Sequence, residues 1–180
     1  MPPPSGPGML SMAASWRSPY SSLGLGLAVL VAGLDQASKY WLVHHSGLAE
    51  AGGRLALGPF VDLVYLRNPG VSYSMFEMKG NAGQWLLTAL ALAVAVGIVA
   101  WLARAANWLT AAALGLVLGG AIGNAIDRPL MGGVVDFVSL HAGGYNWYVF
   151  NVADVGIVVG AALLLYESVL GSRKTATDGV

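Results

Sequence analysis

The sequence predicts an all-α membrane protein: four transmembrane helices with a small β-rich cradle resting on one membrane face. Three observations lead there. Of 180 residues, 56% are hydrophobic and only 10% charged, and the mean hydropathy is +0.65, which leaves too little polar surface to cover a soluble domain. Residues 85–103, 108–126 and 152–170 are each 19 residues long and largely apolar; at 1.5 Å rise that is roughly 29 Å of helix, enough to cross the hydrocarbon core. Between these stretches, the connections at 44–84 and 127–151 are rich in β-branched and aromatic residues broken by turn signals.

Taken in order, residues 1–21 (MPPPSGPGMLSMAASWRSPYS) form a Pro-, Ser- and Gly-rich tail expected to be disordered. The first span follows at about 22–43. It contains Asp35 and Lys39 and lacks a convincing cleavage site, so it reads as a retained helix and not a signal peptide. The 44–84 connection holds RLALGPFVDLVYLRNPGVSYSMF, with Gly-Pro and Asn-Pro-Gly turns, and predicts a small sheet or hairpin. The four-residue connection RAAN at 104–107 makes the second and third spans an antiparallel pair. VVDFVSL and YNWYVFN in 127–151 have a similar β flavour, and their Trp and Tyr suit the membrane interface. Residues 171–180 read as a C-terminal tail, and 22–170 as a single transmembrane domain with its cradle within 44–84.

Composition excludes several functions. The formal net charge is zero and no run of Lys or Arg appears, so no nucleic-acid partner is indicated. With no cysteine, there are no disulfides, thiolate metal sites or cysteine nucleophiles. Charge does not orient the chain. Arg17, Arg104, Arg173 and Lys174 fall on one side, against Arg54, Arg67, Lys79 and Arg128 on the other.

Parity is more informative. With four crossings, the end of span one, the two long connections, the end of span three and the start of span four share one membrane face. That gathers Asp35, Asn68, Asn124, Asp127, Arg128, Asp136, Asn151 and Asp154. Asp35 and Lys39 stand at i and i+4 with the acid first, the favoured helical ion-pair order, which fits structural support. Asn124, Asp127 and Arg128 share a helical face where they can tie down neighbouring loops. Gly115, Gly119 and Gly123 recur every four residues, a stripe for close helix packing.

Asp136 and Asp154 are harder to explain structurally. Asp136 lies in VVDFV with apolar neighbours, and Asp154 sits where a helix enters lipid, where a carboxylate costs a few kcal/mol. Capping is the ordinary explanation for Asp154, yet Asn151 offers a cap three residues earlier. Two carboxylates that approach closely in a partly dry site cannot both ionise and share a proton: one takes a proton from water while the other donates to the scissile carbonyl or leaving amine. That chemistry needs neither a metal nor another cofactor, and HExxH, GxSxG and GxGD motifs are absent from the sequence.

Five blocks in order, DQASKYWL (35–42), RNPGVSYSMF (67–76), GGAIGNAIDR (119–128), GGVVDFVSL (132–140) and FNVADVGIVVG (150–160), together resemble the lipoprotein signal peptidases, the signal peptidase II family. The resemblance implies a bacterial inner-membrane aspartyl endopeptidase that removes signal peptides from diacylglyceryl-modified prolipoproteins, cutting before the lipidated cysteine. It implies four transmembrane helices, a cradle and active site on the extracytoplasmic side, and membrane lipid and prolipoprotein as partners; a monomer is expected, although the sequence does not give the oligomeric state. Carried over by motif, Asp136 and Asp154 are the catalytic aspartates; Asn68, Gly70, Asn124, Arg128 and Asn151 shape the site or hold substrate; Asp35, Lys39 and Asp127 give structural support. Asp127 with Asp154 is an alternative dyad on sequence grounds. The adjacent Arg128 argues against it, since a neighbouring cation keeps a carboxylate ionised. In the second block the family usually carries a small pair and then Phe or Trp after the glycine; here Val71, Ser72 and Tyr73 follow Gly70.

Two other classes have to be weighed. A small transporter would show repeated halves and a polar track through the membrane; neither is present, and the second span has no polar residue beyond Thr88. A non-enzymatic assembly factor would tolerate loss of its acids.

Overall fold

The computed structural model describes residues 18–51, 53–70 and 81–177; the first 17 residues of the N-terminal tail and Val71, Ser72 and Tyr73 lie outside them. Four long helices cross-pack: α1 (Ser21–His45), α3 (Asn81–Leu102), α4 (Trp108–Met131) and α5 (Val152–Thr177), with a single helical turn, α2 (Leu48–Ala51), after α1. All four are long and apolar enough to span a membrane. Helix α5 continues beyond residue 170, where the hydropathy falls away.

Helix α4 is the axis of the bundle, and α1, α3 and α5 each pack on it. Two-thirds of its spanning window is buried, against about a fifth for the others, whose outer faces present Leu, Val and Trp to lipid. Such burial requires small residues. A side chain at Gly115 would strike the Gly24 backbone, and a Cβ at Gly123 would stand 2.6 Å from Asp35 Oδ2. The four-residue glycine stripe is therefore the seam against α1. The α1, α3 and α4 faces close over Ala28, Ala95, Ile98, Leu102, Leu114 and Leu118.

Both ends of α4 are capped. Asn107 accepts from Thr110 N–H at 2.8 Å, and its amide also donates to Glu167 Oε1 at 2.6 Å, tying the α3–α4 turn to α5. Gly132 ends the helix at φ +69°, its N–H bonded to the Arg128 carbonyl, the left-handed stop that glycine adopts without strain.

The cradle is a four-stranded antiparallel sheet in the order β1 (Arg54–Ala56), β2 (Val61–Asn68), β3 (Val134–Ala142) and β4 (Tyr145–Phe150). Only half of it comes from the 44–84 connection; β3 and β4 come from the segment after α4. Both connections emerge at the same membrane end, and an isolated hairpin is marginal, so β2 pairs with β3 through Leu66↔Asp136, Arg67↔Val135 and Asn68↔Val134. Leu42 and Leu48 meet Val135 and Phe137 beneath the sheet. That apolar contact seats the strands on the end of α1.

Candidate active site

The end of β2, the last turns of α4, the start of β3, β4 and the first turn of α5 meet around one polar cavity of about 130 Å³. It is lined by Asn68, Gly70, Asn124, Arg128, Val134, Asp136, Tyr148 and Asp154. Of the ten residues singled out in the sequence, six line it. The other four, Asp35, Lys39, Asp127 and Asn151, stand immediately behind it.

Asn151 precedes α5 and is fully buried. Its Oδ1 accepts from Asp154 N–H at 2.9 Å, while Asp154 Oδ2 accepts from Asn151 N–H at 3.3 Å. The pair is a reciprocal helix cap. Asp154 therefore does take part in capping, but only one of its oxygens is used for it. The other, Oδ1, accepts from Asn124 Nδ2 at 2.9 Å.

Asp136 is 3% exposed. Asn151 Nδ2 lies 2.7 Å from its Oδ1, and Asn68 Nδ2 lies 3.3 Å from its Oδ2. Burial pushes its pKa up to about 6, and the nearby Asp154 charge pushes in the same direction; the Asn68 and Asn151 hydrogen bonds pull against both. Every oxygen of the two carboxylates thus has an amide donor.

The amides are oriented from below. Asn124 Oδ1 accepts from Lys39 Nζ at 3.2 Å and from Asn151 Nδ2 at 3.1 Å. Because an ammonium only donates, Asn124 must turn its NH₂ toward Asp154. Lys39, buried to 3% exposure, also lies 2.7 Å from Asp35 Oδ2 and 2.7 Å from Asp127 Oδ2. Asp35 Oδ1 accepts the Ala153 N–H at 2.9 Å, one of the orphan donors at the start of α5.

Asp127 is committed elsewhere. Its Oδ1 takes Gln36 Nε2 at 2.8 Å, and its Oδ2 takes both Lys39 and the Val135 N–H at 3.0 Å. It does not line the cavity. Asp127 is paired directly with Lys39, and the adjacent Arg128 adds its charge at longer range. Arg128 Nη1 turns back to the Asn124 carbonyl at 2.8 Å, and its charge acts on Asp127, Asp154 and Asp136 alike.

Three participants escaped the sequence reading. Gln36, beside Asp35, bridges to Gly123 O and Asp127; an amide inside an apolar span was the available signal. Tyr148 lines the cavity but looks like any interface aromatic. Gln84 is buried at the start of α3, one residue before the span that hydropathy delimits, and donates to the Pro69 carbonyl.

Four spanning helices, an apposed sheet and two carboxylates facing a small polar cavity define a multi-pass membrane enzyme. The family model described as signal peptidase (SPase) II matches residues 27–170. A lipoprotein signal peptidase of Methylorubrum extorquens is 50% identical over 156 residues, covering 85% of this chain and 91% of its own. Those of Methylocella silvestris, 45% identical over 157 residues, and Rhodopseudomonas palustris, 49% over 153, cover 87% and 83% of this chain and 91% and 93% of their own lengths. Among solved structures, a bacterial membrane enzyme determined by the in meso method superposes with TM-score 0.71 at 25% identity, over 88% of this chain and 92% of the other. The chain belongs to the signal peptidase II family and is an aspartic endopeptidase.

Proposed function

We propose that the protein removes signal peptides from diacylglyceryl-modified prolipoproteins by water attack, with Asp136 and Asp154 as the catalytic pair, cutting before the lipidated cysteine. The observation that carries this is the shared cavity: two carboxylates from different elements, bracketed by the same amide, at the mouth of a spanning helix.

The electrostatics divide the labour. Asp136 is the member that keeps the shared proton, because burial and the neighbouring Asp154 charge raise its pKa to about 6. Asp154 accepts a proton as water attacks the scissile carbonyl carbon, and Asp136 donates its proton to the carbonyl oxygen. On collapse the C–N bond breaks, the amine leaves with the proton held by Asp154, and a hydroxyl proton of the intermediate returns to Asp136. Asn124, Asn68 and Asn151 hold the two carboxylates for that exchange. Arg128, Asn68 and Gly70 offer polar groups at the cavity wall for substrate backbone.

The substrate's acyl chains and signal helix bury remote surface in the bilayer, and that binding orients the peptide bond over the pair. The reading places the protein in the bacterial cytoplasmic membrane as a monomer among lipid, with the cradle and cavity on the extracytoplasmic face. The test is cleavage of a purified diacylglyceryl prolipoprotein in detergent. Wild type turns over, Asp136→Asn and Asp154→Asn lose at least a thousandfold in kcat while remaining folded, and Asp127→Asn keeps activity. Full turnover by the Asp154 variant overturns the aspartyl mechanism.

A further inference from the structure

Gln84 belongs to none of the five motif blocks, yet it is 8% exposed at the start of α3. Its Nε2 donates to the carbonyl of Pro69. Its Oε1 finds no partner among the described residues, so the amide faces the way it does because of the Pro69 carbonyl: the flipped amide would set oxygen against oxygen. Pro69 stands between the two residues that this edge contributes to the cavity. Asn68 Nδ2 reaches Asp136 Oδ2, and Asn68 Oδ1 accepts the Gly70 N–H at 3.2 Å.

We propose that Gln84 is a positioning residue for the peptidase reaction: by clamping the Pro69 carbonyl to α3, it fixes the Asn68–Gly70 edge so that the Asn68 amide stays on Asp136. The inference rests on the reading of Asp136 and Asp154 as the catalytic pair. The mechanical logic is simple. Residue 68 ends β2, and the chain beyond it has no strand partner among the described residues. Proline supplies no N–H to anchor it, so its carbonyl is the handle, and α3 supplies the hand. Thr88 bonds the Gln84 backbone carbonyl at 2.7 Å within the helix and makes no link to Asn68, Pro69 or Gly70 among the described residues.

The charged groups acting on Asp136 are Asp154 from α5, Lys39 from α1 and Arg128 from α4, and Tyr148 of β4 lines the same cavity. Among the described residues Gln84 makes no hydrogen bond to Asp154, Lys39 or Arg128, and its clamp on Pro69 adjoins Asn68, so its effect on Asp136 runs through Asn68. Release of the clamp weakens a bond that favours the charged form of Asp136. The proton is then held more tightly, and the alkaline limb of the pH–rate profile moves to higher pH.

The experiment measures kcat, KM and the pH profile for cleavage of a purified diacylglyceryl prolipoprotein by Gln84→Ala, Gln84→Glu, Asn68→Ala, Thr88→Val and the Gln84→Ala/Asn68→Ala double variant. Gln84→Glu keeps the volume but, when ionised, has no donor, so it carries the test if the alanine variant folds poorly. The expected result is about a tenfold fall in kcat for both Gln84 variants, and an alkaline limb moved upward. Thr88→Val leaves the limb in place. In the Asn68→Ala background the Gln84 change has no further effect, since the clamp then holds nothing that touches Asp136. An unmoved limb in both Gln84 variants, or an equal Gln84 effect with and without Asn68, overturns the proposal. Asp136→Asn and Asp154→Asn run alongside: if they stay active the dyad has failed, and if they are inactive while the Gln84 variants match wild type, the clamp alone has failed.

Discussion

The Asn151 amide nitrogen stands 2.7 Å from Asp136 Oδ1, while the oxygen of the same amide holds the backbone N–H of Asp154. One fully buried side chain therefore sets the place of one carboxylate and the helix start that carries the other. Asn151→Ala removes both bonds. Loss of the cap costs about 1 kcal/mol, and an unpaired buried acceptor about 1–3 kcal/mol more, so the variant melts lower in detergent. Activity falls further than stability, because the bond that favours ionised Asp136 is gone. The alkaline limb of the pH–rate profile moves up. A variant with wild-type kcat and an unmoved limb would show that the amide is only a cap.

Asp136 itself carries a stability cost. Its pKa rises from 3.8 unfolded to about 6 folded, so between those values the folded chain binds the extra proton and stability falls as pH rises. Above about 6 the full penalty applies, about 3 kcal/mol at 1.36 kcal/mol per unit. Asp136→Asn abolishes cleavage and removes that titration, at the expense of one donor–donor contact with Asn68 or Asn151. Its melting temperature relative to wild type is therefore higher at pH 8 than at pH 4. Thermal unfolding of both proteins across that range checks the sign; a gap that widens toward acid pH would be fatal to this account.

Lys39 faces two buried carboxylates, Asp35 and Asp127, each at 2.7 Å. Lys39→Met leaves both without their directly paired cation, and breaking a buried pair in this way costs about 3–5 kcal/mol; little folded protein is expected in detergent at neutral pH. Asp127→Asn instead leaves Lys39 and Asp35 balanced one to one. It folds, although Val135 N–H or Lys39 loses an acceptor. Combining Lys39→Met with Asp127→Asn restores part of the yield. Size-exclusion profiles of the three variants distinguish this from a surface ion pair, for which all three would resemble wild type.

The spans, the parity that gathers the polar cluster and the i, i+4 pair of Asp35 and Lys39 were legible because each rests on local sequence. Hydropathy marks a lipid-crossing helix, and helical spacing puts two side chains on one face. What sequence did not reveal depends on tertiary geometry. Asn124, Asp127 and Arg128 read as one face, yet Asn124 and Arg128 line the cavity while Asp127 turns to Lys39 on α1. The sharing of Lys39 among three partners is likewise a product of helix crossing. The sheet was half seen: the β character of 134–150 is plain, but its pairing with β2 is long-range. Gln84 was missed because a hydropathy window discards the polar residues in the first turn of a helix.

Gly120 links packing to catalysis. A Cβ there would strike the Ala153 carbonyl and stand 2.7 Å from Ile157 Cγ1, on the seam where α4 meets α5. Neither backbone can yield without moving the first turn of α5, which carries Asp154, away from Asn124. Gly120→Ala is thus expected to lose activity at least tenfold while the bundle still forms, because the displacement falls on the 2.9 Å Asn124–Asp154 bond and sub-ångström misplacement is costly to catalysis. Gly97 is the control. It lies on α3 with nothing within 4 Å of its Cβ position, so Gly97→Ala keeps turnover and raises helix stability by at most about 1 kcal/mol. Parallel kcat and melting measurements decide the matter: equal activity in the two variants would mean that α4 and α5 slide freely, and that the carboxylates are not held by the helix seam.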